Sequence, residues 1–351
     1  MRARDEDGAR EVQGSPEEAR AGGLRLSIEL VPKDPFWRMR VYAVTAERLG
    51  YDAVWLSEHH FNRSSVVAAT YLALRTRVLR IGMGVLNPYA FSPALMAQFA
   101  ASLTELAPGR VALSIGAGDP VSLKAMGLGW VDPLRRVEEA VVTVRTLLTG
   151  SRTEGHLRLD FRPRGTVPIY LAAQGKRMLE LAGKVGDGVL INSANLPFLE
   201  ESARRARDAA TSAGREGFAV EAEVLTSLHE ERAKAVKTVK PYVAVVLLGM
   251  PQTWRERLGV EEGLLTRLSD AVSKGDWLRI HEVLPDDLAL ALSVSGNAAD
   301  VRRSLSELPV RFLDGIVFGG PLGPYPRRAI NELWRVSSEL FDRGPRGSPA
   351  Q

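Results

Sequence analysis

Short apolar runs and amphipathic helical runs alternate about eight times along this chain, and no other feature restricts its fold as tightly. Strand-like runs fall at Leu24–Val31, Asp52–Leu56, Leu79–Val85, Val111–Ile115, Ile169–Ala172, Val189–Ile191, Ala219–Leu228 and Gly315–Phe318. Helical spacing occupies Pro35–Leu49, Val66–Arg77, Pro93–Leu106, Pro133–Leu148, the segment behind Gly175, Pro197–Ala213 and Tyr325–Phe341. Short buried strands joined by helices form parallel sheets, because each crossover returns the chain to the same end. Eight such units predict a closed (β/α)8 (TIM) barrel, with an open doubly wound sheet as the alternative. Two stretches break the rhythm. Ser151–Val167 reads as a loop or hairpin, and Glu230–Leu308 is too long for one crossover and is expected to hold extra helices.

The barrel is expected to occupy residues 24–342 as one domain, between a disordered extension at 1–23 and a flexible tail at 343–351. The extension is charged and lacks the apolar core of a secretory signal. With 45% hydrophobic and 25% charged residues, the composition is that of a globule able to bury a large core. Cysteine is absent, which excludes disulfides, thiolate metal sites and cysteine nucleophiles and fits a cytoplasmic home. A net charge of +4 suits an anionic ligand. Basic residues are interleaved with acids rather than gathered into a stripe with aromatics, so nucleic acid is not an expected partner.

In barrels of this kind chemistry sits at the C-terminal ends of the strands. Those ends carry Glu29, Ser57-Glu58-His59-His60, Gly84-Val85-Leu86-Asn87, Gly116-Ala117-Gly118-Asp119, Ala173-Gln174-Gly175-Lys176, Asn192 and Gly319-Gly320. Glycine at so many of them lets backbone approach a ligand closely. At Gly175 a strand hands over directly to a helix, whose unpaired N–H groups and positive dipole end suit a phosphate. Glu29 lies inside an apolar strand, an expensive place for a charge without a task. Asp119 reads either as a working carboxylate or as the N-cap of the next turn. His59 and His60 are adjacent at a strand end and point apart, so no metal site is expected.

The segments SIELVP, GMGVLNPYAFSPA, ALSIGAGD, GLGWVDPLRRVEEAV, PIYLAAQGKRMLELAGKVGDGVLINSAN and SVSGNAADVRRSLSEL occur in this order. Together they resemble the coenzyme F420-dependent methylenetetrahydromethanopterin reductases of the bacterial luciferase-like superfamily. The resemblance runs from about Leu24 to Phe341 and is loosest over Glu230–Val283. It implies a deazaflavin lying against the third strand, backed by a bulge with a cis peptide at Gly84-Val85. It implies that Gly175 and Lys176 offer backbone N–H groups to the cofactor phosphate, and that Gly116 and Gly118 leave room beside the ring. His59, Asn87, Ala173, Gln174, Asn192, Gly319 and Gly320 are the further expected cofactor contacts. Glu29 and Asp119 match positions near the pterin, where acid–base or electrostatic work would be done.

That chemistry has a simple requirement. A methylene carbon bridging two nitrogens becomes electrophilic when one C–N bond opens to an iminium, and a proton donor to the departing nitrogen helps it open. Lys274 is a candidate contact for an anionic part of the pterin or cofactor, and Arg63 and Arg177 for a polyglutamate tail. Glu58-His59-His60-Phe61 departs from the Asp-His pair expected of the reductases and looks like the matching segment of bacterial luciferases. Other readings therefore stay open: an FMN-dependent monooxygenase, an F420-dependent dehydrogenase of an alcohol or sugar phosphate, or a cofactor-binding carrier without turnover. The resemblance also implies a homo-oligomer, a dimer or tetramer, paired through helices near strands two and three.

Overall fold

The first strand, Arg25–Leu30, sets out how the layers divide. Leu26, Ile28 and Leu30 are buried in one large apolar cluster with helix residues such as Met39 and Ala43. Ser27 and Glu29 alternate with them and point the other way, as the two-residue period of a strand requires. Each fully buried Leu or Ile in that sleeve stabilises the fold by about 1.5–3 kcal/mol. The structure is a computed structural model whose described residues are 23–343. The expected extension and tail lie outside them, apart from Gly23 and Arg343. Arg343 is not loose: its guanidinium reaches Asp52 Oδ2 at 2.8 Å and the Leu24 carbonyl at 2.9 Å.

Eight parallel strands close on themselves: β1 (Arg25–Leu30), β2 (Ala53–Leu56), β3 (Arg80–Leu86), β4 (Val111–Ile115), β5 (Ile169–Ala172), β6 (Gly188–Asn192), β7 (Ala219–Leu228) and β9 (Gly315–Leu322). Pairing of β6 with β7, β7 with β9 and β9 with β1 completes the ring, so the barrel rather than the open sheet is the fold. A second, smaller apolar cluster fills its interior: Trp55, Ala112, Tyr170, Leu190, Ala219 and Val317. Two large aromatics fit there only because neighbouring positions are glycine. A Cβ on Gly82 would lie 2.2 Å from the Trp55 ring, and one on Gly188 would lie 2.5 Å from Tyr170.

The N-terminal face of the barrel is tied by a device that recurs in the sequence as Tyr51-Asp52-Ala53-Val54, Gly186-Asp187-Gly188-Val189 and Leu313-Asp314-Gly315-Ile316. Each aspartate accepts a backbone N–H from the strand before it in chain order or pairing: Leu26 to Asp52, Ile169 to Asp187 and Val220 to Asp314, at 2.7–2.8 Å. These bonds register neighbouring strands at the end away from the chemistry, where stability is set.

The long excursion holds α8 (Arg232–Gly249), α9 (Gln252–Arg257), α10 (Glu262–Lys274), α11 (Trp277–Val283) and α12 (Asp286–Ala291), as its length required. It then adds β8 (Val294–Gly296), a three-residue strand on the end of β7 that sequence reading did not foresee. At that length a strand carries no usable period. A short helix, α4 (Pro120–Ala125), was also missed behind β4. Residues 151–167 form a loop with no strand, which resolves loop against hairpin.

Candidate active site

Above the interior cluster, at the C-terminal strand ends, a cavity of about 950 Å³ opens. Of the residues singled out from sequence, His59, Val85, Asn87, Gly116, Gly118, Asp119, Ala173, Gln174, Gly175, Lys176 and Asn192 line it. One wall is largely apolar, with Val85, Ala172, Ala173 and Leu190. The Gly84–Val85 peptide at this wall is cis, as the resemblance implies, and so is Gly320–Pro321. Gly84 adopts φ 144°, and a Cβ there would lie 2.4 Å from the Ser114 carbonyl, so only glycine fits. Gly116 has the matching role across the sheet: its Cβ would lie 2.5 Å from Val85 Cγ1.

The opposite end of the cavity is polar. Gly175 is the N-cap of α6 (Lys176–Val185), with no side chain capping the helix and nothing within 4 Å of where a Cβ would stand. The free N–H groups of that first turn, with Lys176 and Arg177 beside them, make an anion-holding end. Gln174 Nε2 donates to the Asn192 carbonyl at 2.9 Å, which locks β5 and β6 together behind it. Asn192 Nδ2 donates to Glu223 Oε1 at 2.8 Å, while Asn192 Oδ1 is buried in this wall without a partner. The apolar wall and the open helix end together fit a phosphate-bearing heteroaromatic cofactor.

The floor is acidic. Glu29 sits beside the cavity rather than on its lining, 9% exposed, and its Oε2 accepts the Gly320 N–H at 2.9 Å. Gly319 and Gly320, expected at the cofactor, instead wrap this carboxylate; β9 brings them past Glu29 before it reaches the rim. Glu223 projects from β7 into the same space and keeps some surface open to the cavity, although its carboxyl lies deep in the barrel. Burial pushes it well above the usual carboxylate range, and the charge of Glu29 adds to the push against the pull of Asn192. Burial likewise holds the His59 imidazole below its ordinary value, with Lys33 adding to that effect and Glu29, Glu58 and Asp119 opposing it. Both shifts favour the uncharged forms of the two side chains.

Asp119 is the N-cap of α4, its Oδ1 accepting the Ser122 N–H at 2.7 Å, and it also lines the cavity. Asn87 spends its Oδ1 on the backbone N–H groups of Tyr89 and Ala90, so it shapes the loop after β3. Lys274 corrects an expectation. It ends α10 on the surface, paired with Asp270 at 2.8 Å, and the cavity lining does not include it; a lysine in the last turn of an exposed helix finds its i−4 carboxylate first. Glu223 was missed. Its signal was the one that exposed Glu29, a carboxylate at an inward position of an apolar strand, and in Ala219–Leu228 it appears twice, at Glu221 and Glu223. Glu221 lies one layer deeper and pairs with Arg25 at 2.9 Å.

The sequence profile of the family described as Luciferase-like monooxygenase matches residues 15–311. A 5,10-methylenetetrahydromethanopterin reductase of Archaeoglobus fulgidus is 35% identical over 321 residues, covering 88% of this chain and 96% of the relative. An F420-dependent glucose-6-phosphate dehydrogenase of Beutenbergia cavernae is 31% identical over 281 residues, 71% of this chain and 80% of the relative. Among solved structures, that of a coenzyme F420-dependent tetrahydromethanopterin reductase from Methanopyrus kandleri superposes with a TM-score of 0.81 at 26% identity, covering 91% of this chain and 100% of that one.

Proposed function

The chain belongs to the luciferase-like monooxygenase family, and from that premise we propose that it is a coenzyme F420-dependent oxidoreductase reducing the methylene carbon of a methylene-tetrahydropterin to a methyl group. The observation that carries the reading is an anion-holding helix end in the same cavity as the Glu223 side chain, with the buried Glu29 carboxyl just behind the lining. The sequence kinship to the reductase of Archaeoglobus fulgidus over nearly its whole length supports the same substrate class.

When bound, the reduced deazaflavin supplies the hydride. Gly175, Lys176 and Arg177 would hold its phosphate, and Val85 would back its ring. Glu29 donates the proton that lets one C–N bond of the substrate open, the electron pair of that bond staying on nitrogen. A positioned acid of this kind contributes about 10²- to 10⁴-fold. Once the nitrogen has left, the Glu29 carboxylate faces the cation and stabilises it. Asp119 adds negative charge at the rim, and neutral His59 offers a hydrogen bond without competing for the proton.

No helix among the described residues is long and apolar enough to cross a membrane. A cytoplasmic location and a homo-oligomer belong to the same proposal. Val67, Leu74, Val78 and Leu95, on or beside the helices after β2 and β3, are 44–60% exposed and support pairing through that face. Light scattering tests the assembly; a monomer at micromolar concentration refutes it.

The function is tested by titrating the protein with F420 and with FMN, then offering reduced F420 with methylene-tetrahydromethanopterin. Tight F420 binding with pterin-dependent reoxidation is expected. Turnover with glucose 6-phosphate but not pterin would move the chain to the dehydrogenases, and a preference for FMN would refute the reductase reading.

A further inference from the structure

Gly319 separates two carboxyl groups that come from different strands. A Cβ added there would lie 3.4 Å from Glu29 Oε2 and 3.5 Å from Glu223 Cγ. Because Gly319 has no side chain, nothing of its own stands between them. Glu29 is buried and Glu223 half-buried, which disfavours two negative charges at once. Asn192 Nδ2 donates to Glu223 Oε1, which leaves Oε2 as the oxygen that can carry a proton. Among the described residues no salt bridge reaches either carboxyl: the buried Arg25 is one layer below, committed to Glu221. Glu29 in turn has its Oε2 fixed by the Gly320 N–H.

We infer that Glu29 and Glu223 act as a pair holding a single proton, with Glu223 as its store and Glu29 as the group that passes it to substrate. The inference rests on the function proposed above and adds a residue to it. In the forward step the proton held on Glu223 passes to Glu29, directly or through one water, and Glu29 gives it to the departing nitrogen. The pair, left with both carboxyls charged, then takes one proton from solvent through the cavity that Glu223 lines. Charge and protons balance over the cycle, since each proton consumed by the nitrogen is replaced by one from water. Glu223 is a positioning residue, since it acts through Glu29.

The groups that face Glu223 set its behaviour. Glu29 on β1 repels its charged form, Asn192 on β6 donates to it, and β9 contributes only Gly319. Deeper on its own strand Glu221 is shared by Arg25 and the Tyr170 hydroxyl, at 2.9 and 3.5 Å. The charge of Glu29 therefore helps hold the Glu223 proton, and removing Glu29 lowers the pH at which Glu223 gives it up.

Two readouts test this on the full chain. Infrared difference spectra of the protein without ligands, in H₂O and D₂O at pH 7, should show the carbonyl band of a protonated carboxyl that disappears in Glu223→Gln. In Glu29→Gln, which retains Glu223, the same band should titrate away at lower pH. With substrate, Glu223→Gln should keep cofactor affinity, lose about 10²-fold in kcat and shift the basic limb of the pH–rate profile to lower pH. A band unaffected by Glu223→Gln, or kcat and a basic limb that do not move, overturns the inference. If the wild type turns over no pterin, the functional reading fails by itself and the infrared arm alone decides where the proton is.

Discussion

Gly116→Ala probes the cofactor wall with one methyl group. The new Cβ would stand 2.5 Å from Val85 Cγ1 and 3.2 Å from Ala172 Cβ. Carbon atoms pack at about 3.5–4.0 Å, so relief demands roughly 1.0–1.5 Å of movement. Val85 is stiff at χ1 and lines the cavity, so the easiest displacement carries its methyl groups into that space. The stability cost is that of a mild overpacking, about 1–3 kcal/mol, because the cavity can absorb the shift. Function suffers more. A 1 Å misplacement beside a reacting centre costs about 10²-fold in rate. Urea denaturation should therefore give a modestly lower midpoint, F420 fluorescence titration a Kd raised tenfold or more, and turnover a larger loss still. A variant with wild-type Kd and kcat would refute the placement of Val85 against the cofactor.

Glu29→Gln keeps the acceptor for the Gly320 N–H, so it should fold and bind F420 normally while kcat falls by about 10²- to 10⁴-fold; unchanged turnover would remove Glu29 from the chemistry. Lys274→Ala should leave KM, kcat and stability alone, the last within about 0.5 kcal/mol, because its ion pair with Asp270 is exposed. Gly183→Ala, which in an ordinary helix would stabilise by up to about 1 kcal/mol, should destabilise by more than that, because its Cβ would lie 2.5 Å from the Ala206 carbonyl of the neighbouring helix. Glu223 has a raised native pKa, so between the unfolded value and the native one the folded chain binds the extra proton and stability falls as pH rises. Urea midpoints at pH 5 and pH 8 should accordingly differ less in Glu223→Gln than in the wild type.

The barrel was legible because its strands are apolar on both faces and its helices carry a strong period. The candidate site was legible wherever glycine or a charge stood against local preference, as at Gly84, Gly175 and Glu29. Glu223 carried the same signal and was passed over, since a long strand with two glutamates also reads as half-solvated. Asp119 could not be assigned from sequence because capping and catalysis ask for the same residue type at the same kind of turn. Lys274 shows the reverse error: a lysine near a helix end looks the same whether a ligand or Asp270 awaits it.

By itself the sequence determined the eight βα units, their parallel sense and the end of the barrel at which ligands bind, because these follow from periodicity and from the hand of the crossover. Tertiary structure alone decided that Glu29 meets Glu223 across Gly319, that Gly319 and Gly320 enclose a carboxylate rather than a cofactor, and that Asn192 keeps one acceptor free. Those contacts join residues far apart in the chain, and their distances depend on how the ring of strands closes, which no local pattern encodes.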